Sequence, residues 1–223
     1  NMFFSWLHNE FSEEIPDVVE WVKAVIAKDL RCGISIKTVN KVFHNLINEF
    51  IVQLAEPCER INPEGVYFAE PKYDGVRCIV VTDKGRGVAM LFTRNGKPIE
   101  GYNDIEADAL KFADMYHEDI MLDGEIVSGN FDSTMEGLFA DGANKKANLM
   151  VFDGMKASEF YNKKCFDSLK LRKHFIVTGF SAAKQLEIKL PSLEYVTSRQ
   201  CSGSSIDDAL TKTFIADGYE GAM

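Results

Sequence analysis

The sequence predicts an α+β protein with largely antiparallel sheets, preceded by a small helical unit. Near the N-terminus, apolar residues recur with a period close to 3.6, which is typical of amphipathic helices. After Val66 the apolar positions fall instead into short runs with the character of strands. These later strand and helix patterns do not alternate strictly, and this mixed order favours antiparallel sheets.

Two helices are predicted in the first fifty residues. The apolar period runs from Ile15 to Leu30, and Gly33 is a plausible stop for this helix. Ser35 is a plausible N-cap for a second helix that extends through Ile47. Prolines and a glycine at 56–66 then indicate a linker.

We therefore predict a helical region over residues 1–60 and a second domain over residues 66–223. Within the second domain, two strands flank Asp83-Lys84-Gly85-Arg86-Gly87, which is a good signal for a hairpin. The predicted strands are 66–69, 76–82, 88–93, 120–127, 149–153, 193–196 and one that begins near 218, and the predicted helices are 105–115, 166–175 and 206–216.

The charge balance argues against a protein that coats nucleic acid non-specifically. The 223 residues carry a formal net charge of −9, whereas such proteins are strongly basic. One segment differs, because between Trp21 and Asn48 five cations face a single acid, Asp29. These cations are Lys23, Lys28, Arg31, Lys37 and Lys41. The segment is either a solvated helix face or a local surface for DNA.

Composition also bears on cellular location. No apolar run approaches the ~18 residues of a membrane span, and the N-terminus carries Glu10, Glu13 and Glu14 rather than the basic region of a signal peptide. The five cysteines are widely spaced and form no CxxC pair. We expect neither a disulfide framework nor a zinc site, and a reducing cytoplasm fits best.

The segment Lys72-Tyr73-Asp74-Gly75-Val76-Arg77 has the residue types of a nucleophilic site. Residues two apart in an extended chain share a face, so Lys72 and Asp74 can point into one pocket. A lysine that acts as a nucleophile must be neutral, against a reference pKa of ~10.4, and nearby cations or burial lower that pKa. The alternative is a surface turn with an exposed Lys–Asp pair.

Four further segments are weak signals when each is taken alone. They are Thr93-Arg94-Asn95-Gly96, Asp123-Gly124-Glu125, Phe152-Asp153 and Glu220-Gly221. An isolated Phe152 would more often be a core residue, and an isolated Glu125 would be an exposed strand acid. Taken together, their order and spacing along the chain form a specific signal.

In this order the segments resemble the motifs of the covalent nucleotidyltransferase superfamily, which includes ATP-dependent DNA ligases, RNA ligases and mRNA capping enzymes. Lys72 to Arg77 resembles motif I (KxDGxR) and Thr93 to Gly96 resembles motif Ia. The other three segments resemble motifs III, IIIa and IV. Within the superfamily the chain is most similar to ATP-dependent DNA ligases of large tailed phages, and the resemblance covers residues 66–223.

The resemblance implies an ATP-grasp-like adenylation domain that uses ATP and Mg²⁺ to form lysyl-AMP and to seal nicks in double-stranded DNA. Lys72 would be the catalytic nucleophile. The implied nucleotide-binding residues are Glu70, Lys72, Arg77, Arg94, Glu125 and Phe152, and the implied metal-binding residues are Asp74, Glu125 and Glu220. The basic segment would bind DNA through Lys28, Arg31, Lys37 and Lys41.

Further expectations follow from the same resemblance. The protein would be a monomer in the cytoplasm of an infected bacterial cell, without membrane association, and would serve DNA replication, repair and recombination. Family members continue into motif V and an oligonucleotide-binding domain, so we expect these 223 residues to represent an incomplete ligase. The alternatives are an RNA ligase, a capping guanylyltransferase or a catalytically silent DNA-binding fragment. Glu70 favours ATP over GTP, because a carboxylate can accept a hydrogen bond from the amino group of adenine.

Overall fold

The computed structural model describes residues 36–43, 52–54, 62–140, 142, 145–205 and 208–223. The chain divides into two compact units, residues 1–49 and 50–223. In the first unit the described element is helix α1 (Ile36–Val42), which lies within the helix predicted to start after Ser35. The helix predicted over 15–30 lies outside the described residues.

The second unit contains ten strands and five helices among its described residues. In chain order they are β1 (Val66–Ala69), β2 (Pro71–Lys72), β3 (Val76–Asp83), β4 (Val88–Thr93), β5 (Pro98–Ile99), α2 (Asn103–Asp114), β6 (Ile120–Val127), α3 (Phe131–Phe139), β7 (Asn148–Lys156), α4 (Ala157–Tyr161), α5 (Leu169–Gln185), β8 (Leu193–Tyr195), β9 (Arg199–Ser202), a 3₁₀ turn (Gly203–Ser205), α6 (Asp208–Ala216) and β10 (Gly221–Ala222).

The strands form one large sheet and two small ones. The large sheet has six strands in the order β5-β4-β3-β6-β7-β8, and every neighbouring pair is antiparallel except β7 and β8. The small antiparallel sheets pair β1 with β9 and β2 with β10. The predicted α+β class with largely antiparallel sheets is therefore confirmed.

The two faces of the large sheet have different roles. On β6, Ile120, Leu122 and Ile126 belong to the main core, which also includes buried residues of α2 and α5. Successive side chains of a strand point to opposite faces, so Met121, Asp123 and Glu125 lie on the other face. That face carries a smaller apolar cluster and leaves room for polar side chains beside it.

A β-bulge interrupts the pairing of β6 with β7. Asp123 pairs with Asp153 and Gly124 pairs with Val151, so Phe152 has no partner residue on β6. A bulge of this kind re-aims side chains and is common beside binding sites. Here both Phe152 and Asp153 line the same cavity, although consecutive residues of a regular strand would face opposite sides.

Several elements differ from the sequence prediction. Helix α5 begins at Leu169 rather than at residue 166 and continues to Gln185, because Ser168 is extended and Ile176 and Ala183 beyond the predicted end are buried. Helix α3 was not predicted, although Asn130 and Ser133 form a capping box at its start. Strand β9 was also missed. No helix in the described part of the chain has the length and apolar character needed to span a membrane.

Candidate active site

The small β2/β10 sheet holds Lys72 beside an acid. Gly221 pairs with Lys72 across the two strands, and the Glu220 N–H donates to the Lys72 carbonyl at 2.9 Å. The Lys72 Nζ forms an ion pair with the Glu220 carboxylate, and the two side chains are 39% and 47% exposed. The amine is thus positioned by backbone pairing and remains accessible to a ligand.

Gly75 brings the motif I turn against β6. Its N–H donates to Glu125 Oε1 at 3.2 Å, and a Cβ at this position would lie 2.3 Å from the Ile126 carbonyl oxygen. Glycine therefore permits this close approach. Burial raises the pKa of Glu125, while the positive charges of Lys72 and Arg77 act in the opposite direction. The charges of Lys72 and Glu220 both act on the Glu125 carboxylate, in opposite directions.

The second unit contains a cavity of about 470 Å³, a size typical of small-molecule sites. Its wall includes three residues that the sequence analysis singled out, Glu70, Arg77 and Phe152. Apolar side chains such as Phe68 and Met155 and charged residues such as Asp123 complete much of the lining. Lys72, Glu125 and Glu220 do not line this cavity.

Arg77 is one of the residues that line the cavity. Its Nε and Nη2 donate to the two oxygens of Asp123, each at 2.6 Å, in a bidentate pair. The guanidinium carbon lies 4.8 Å from the centre of the Phe152 ring, within the range of a cation–π contact. Burial raises the pKa of Asp123 to about 6, whereas the hydrogen bonds and charge of Arg77 act in the opposite direction.

Helix α5 contributes two cations that the sequence analysis did not identify. Arg172 binds Asp153 through Nε and Nη2 at 2.8 and 2.9 Å. Lys173 forms an ion pair with Glu70 and also donates to the Phe152 carbonyl. Lys173 and Glu70 are 103 residues apart, and no local pattern in the sequence connects them.

Other predicted residues lie apart from the cavity. Asp74 and Arg94 are exposed, and neither is ion-paired with any residue that the structure describes. Lys41 is exposed on α1, and Lys37 lies on the same helix. Lys28 and Arg31 are outside the described residues.

The carboxylates near Lys72 have the chemistry of a Mg²⁺ site. Mg²⁺ prefers oxygen ligands and is often held by one or two carboxylates together with substrate phosphates and water. Glu125 and Glu220 fit this requirement, whereas Asp74 does not join them in a three-residue ligand cluster. Within the described ranges, the group that brings three ligand-type atoms within 4.8 Å is Glu159, Cys165 and Asp167.

Comparisons with known proteins identify the family of this chain. The sequence model of the family described as "ATP dependent DNA ligase domain" matches residues 36–223. The DNA ligases of Enterobacteria phages T4 and T6 are each 31% identical over 120 residues, which cover 50% of this chain and 25% of each phage ligase. The chain thus aligns with about a quarter of the length of these relatives.

Solved structures share the fold. The structure named Pmar-Lig_Pre has a TM-score of 0.72 and 26% identity, and the match covers 92% of this chain and 50% of that one. The ATP-dependent DNA ligase of bacteriophage T7, in complex with ATP, has a TM-score of 0.54 and 19% identity, covering 71% of this chain and 56% of that one. Because the family model matches most of the chain, we conclude that the chain belongs to the ATP dependent DNA ligase domain family.

Proposed function

We propose that the full-length protein seals nicks in double-stranded DNA through a covalent lysyl-AMP intermediate on Lys72. It would act as a monomer in the cytoplasm of an infected bacterial cell, in replication, repair and recombination. The observation that carries the proposal is the accessible Lys72 amine, held by Glu220 on the β2/β10 sheet. Glu70, two residues before Lys72, lines a cavity whose wall also carries the Phe152 ring, and a carboxylate beside an aromatic ring suits a purine base.

The reaction has three steps, and in each a nucleophile attacks a phosphorus atom and displaces a leaving group. The neutral Lys72 amine attacks the α-phosphorus of ATP, losing its proton as the P–N bond forms and the bond to pyrophosphate breaks. The AMP group then passes to the 5′-phosphate at a nick, which frees the lysine. Finally the 3′-hydroxyl attacks that phosphate, loses its proton, and AMP leaves.

Residues of the cavity and of the other motifs would bind the nucleotide and the metal. Phe152 would stack on adenine, and Glu70 would accept a hydrogen bond from its amino group, since a carboxylate can only accept. Arg77 and Arg94 would face the phosphates and the nick. Glu125 would contact the ribose and, with Glu220, would hold Mg²⁺, which supplies positive charge for the phosphate oxygens when bound.

The proposal is tested by incubating the protein with α-labelled ATP or GTP and Mg²⁺, then measuring label retained after denaturation. We expect covalent label from ATP alone and sealing of a nicked duplex by the full-length protein. Label from GTP alone would indicate a capping enzyme. ATP label with sealing of RNA but not DNA would indicate an RNA ligase, and the absence of label would indicate a silent DNA-binding fragment.

Replacement of the stacking ring should weaken ATP use. Base stacking on an aromatic side chain contributes roughly 1–3 kcal/mol, so Phe152→Ala should lower the efficiency of lysyl-AMP formation about tenfold or more. Phe152→Tyr keeps the ring and should have a mild effect. Phe131→Ala is the matched control, because Phe131 is exposed and lies outside the cavity. Equal activity of Phe152→Ala and the control would contradict this position for adenine.

The basic segment should determine affinity for DNA. Reversal of four cations to Glu should weaken binding to nicked DNA and reduce its salt dependence, each lost phosphate contact lowering the slope by about one. Formation of lysyl-AMP should persist, because that step needs no DNA. The four residues are Lys28, Arg31, Lys37 and Lys41.

A control variant separates local contacts from total charge. It reverses four exposed lysines of the second unit to Glu and so changes the net charge equally. These lysines are Lys97, Lys170, Lys184 and Lys189. If both variants bind nicked DNA with the same affinity at several salt concentrations, the basic segment is an ordinary solvated helix face.

A further inference from the structure

Lys173 connects two parts of the cavity that would hold the base. From helix α5 its ammonium contacts Glu70, which precedes β2, and the carbonyl oxygen of Phe152 at the β7 bulge. Both charged side chains are largely buried, with 13% and 14% exposed, and all three residues line the cavity. One side chain therefore joins the carboxylate to the backbone of the aromatic residue.

This contact favours the charged form of Glu70. A buried carboxylate loses hydration and stays ionised only with a compensating partner. Burial raises the pKa of Glu70, and the nearby Asp153 adds to that rise, whereas the charge and hydrogen bond of Lys173 lower it. Lys173 contacts Oε1, and no described residue donates to Oε2, so this oxygen can accept from a ligand.

The protonation state of Glu70 determines which purine the site can recognise. An ionised carboxylate accepts hydrogen bonds and cannot donate, whereas a protonated one has a donor. The 6-amino group of adenine is a donor and matches an ionised Glu70. The 6-oxo group of hypoxanthine or guanine is an acceptor and is repelled by it.

We propose that Lys173 is a positioning residue for base selection, which keeps Glu70 ionised and directed at the 6-amino group of the purine while it anchors the Phe152 backbone. This inference rests on the proposed function, because it takes the cavity to be the nucleotide site. Lys173 acts through Glu70 and need not contact the nucleotide itself.

The test compares ATP with inosine triphosphate, which replaces the 6-amino group with a 6-oxo group. For each variant, the rate of lysyl-AMP or lysyl-IMP formation is measured at limiting nucleotide, and the ratio of the two rates gives the base preference. A hydrogen bond to a charged group is worth about 1.5–3 kcal/mol. Lys173→Met should therefore reduce the preference for ATP by about tenfold or more.

Three further variants separate base selection from a structural role. Lys173→Arg keeps the charge and should retain most of the preference. Glu70→Gln should lose it, and adding Lys173→Met to Glu70→Gln should change the ratio little further, because Lys173 acts through Glu70. Lys170→Met, on the same helix but exposed and outside the cavity, should match the unmodified protein.

Two results would overturn the inference. One is a Lys173→Met variant whose rates fall equally for both nucleotides, and the other is a Glu70→Gln variant that keeps the full preference for ATP. If Lys173→Met does not fold, as judged by circular dichroism, Lys173→Gln takes its place, since it keeps a polar side chain but removes the charge, and it should show the same loss of preference for ATP. If the unmodified protein forms no covalent adduct, the proposed function fails, while equilibrium binding of ATP and inosine triphosphate still measures the role of Lys173.

Discussion

Lys72→Ala is expected to abolish covalent labelling by ATP, since it removes the amine that forms the bond to phosphorus. Lys72→Arg should also be inactive, because a guanidinium remains protonated at neutral pH and cannot act as the nucleophile. The full-length protein is incubated with α-labelled ATP, and the modified residue is mapped by mass spectrometry after proteolysis. The adduct should lie on Lys72 alone.

Lys156 provides a matched control for this experiment. Like Lys72 it ends a strand and pairs with a glutamate, here Glu118 at 3.0 Å. Lys156→Ala should leave labelling unchanged, because Lys156 pairs with Ile120 in the large sheet and lies outside the motif I segment and the β2/β10 sheet. An adduct mapped to another lysine, or full labelling of Lys72→Ala, would contradict the assignment of Lys72 as the nucleophile.

Asp123→Ala is expected to lower the free energy of unfolding by about 3 kcal/mol, since loss of one partner leaves a partly buried charge uncompensated. The Asp123 side chain is 8% exposed and its partner Arg77 is 21% exposed. Urea denaturation followed by circular dichroism measures the change. The variant should also impair ATP use, because Arg77 then loses the bidentate contact that orients it over Phe152.

Two companion variants show whether burial of the ion pair causes the expected loss of stability. Asp114 pairs with Lys84 at 2.9 Å but is 66% exposed, so Asp114→Ala should cost at most about 1 kcal/mol. Combining Asp123→Leu with Arg77→Met removes both buried charges and should recover much of the lost stability. If Asp123→Ala and Asp114→Ala lower the free energy of unfolding by the same small amount, the buried pair contributes no more to stability than the surface pair.

The local elements of this domain could be predicted because their signals lie within short stretches of sequence. The short apolar runs on either side of Asp123 correctly predicted a strand, and the residues between Thr82 and Val88 correctly predicted a hairpin. The order of the five motifs was sufficient to indicate the ligase family. The boundaries of α5 were less accurate, since burial against the sheet, rather than the local pattern, determines where that helix ends.

The sequence by itself determined the fold class, the family and the residues proposed to carry the chemistry, because strand periodicity and motif order are properties of neighbouring residues. Only the tertiary structure decided which side chains line the cavity and how they are held there. The bulge that turns Phe152 into it arises from the register between β6 and β7, and the Lys173–Glu70 pair joins positions 103 residues apart. Such contacts depend on how sheet and helix pack together, and no local pattern encodes them.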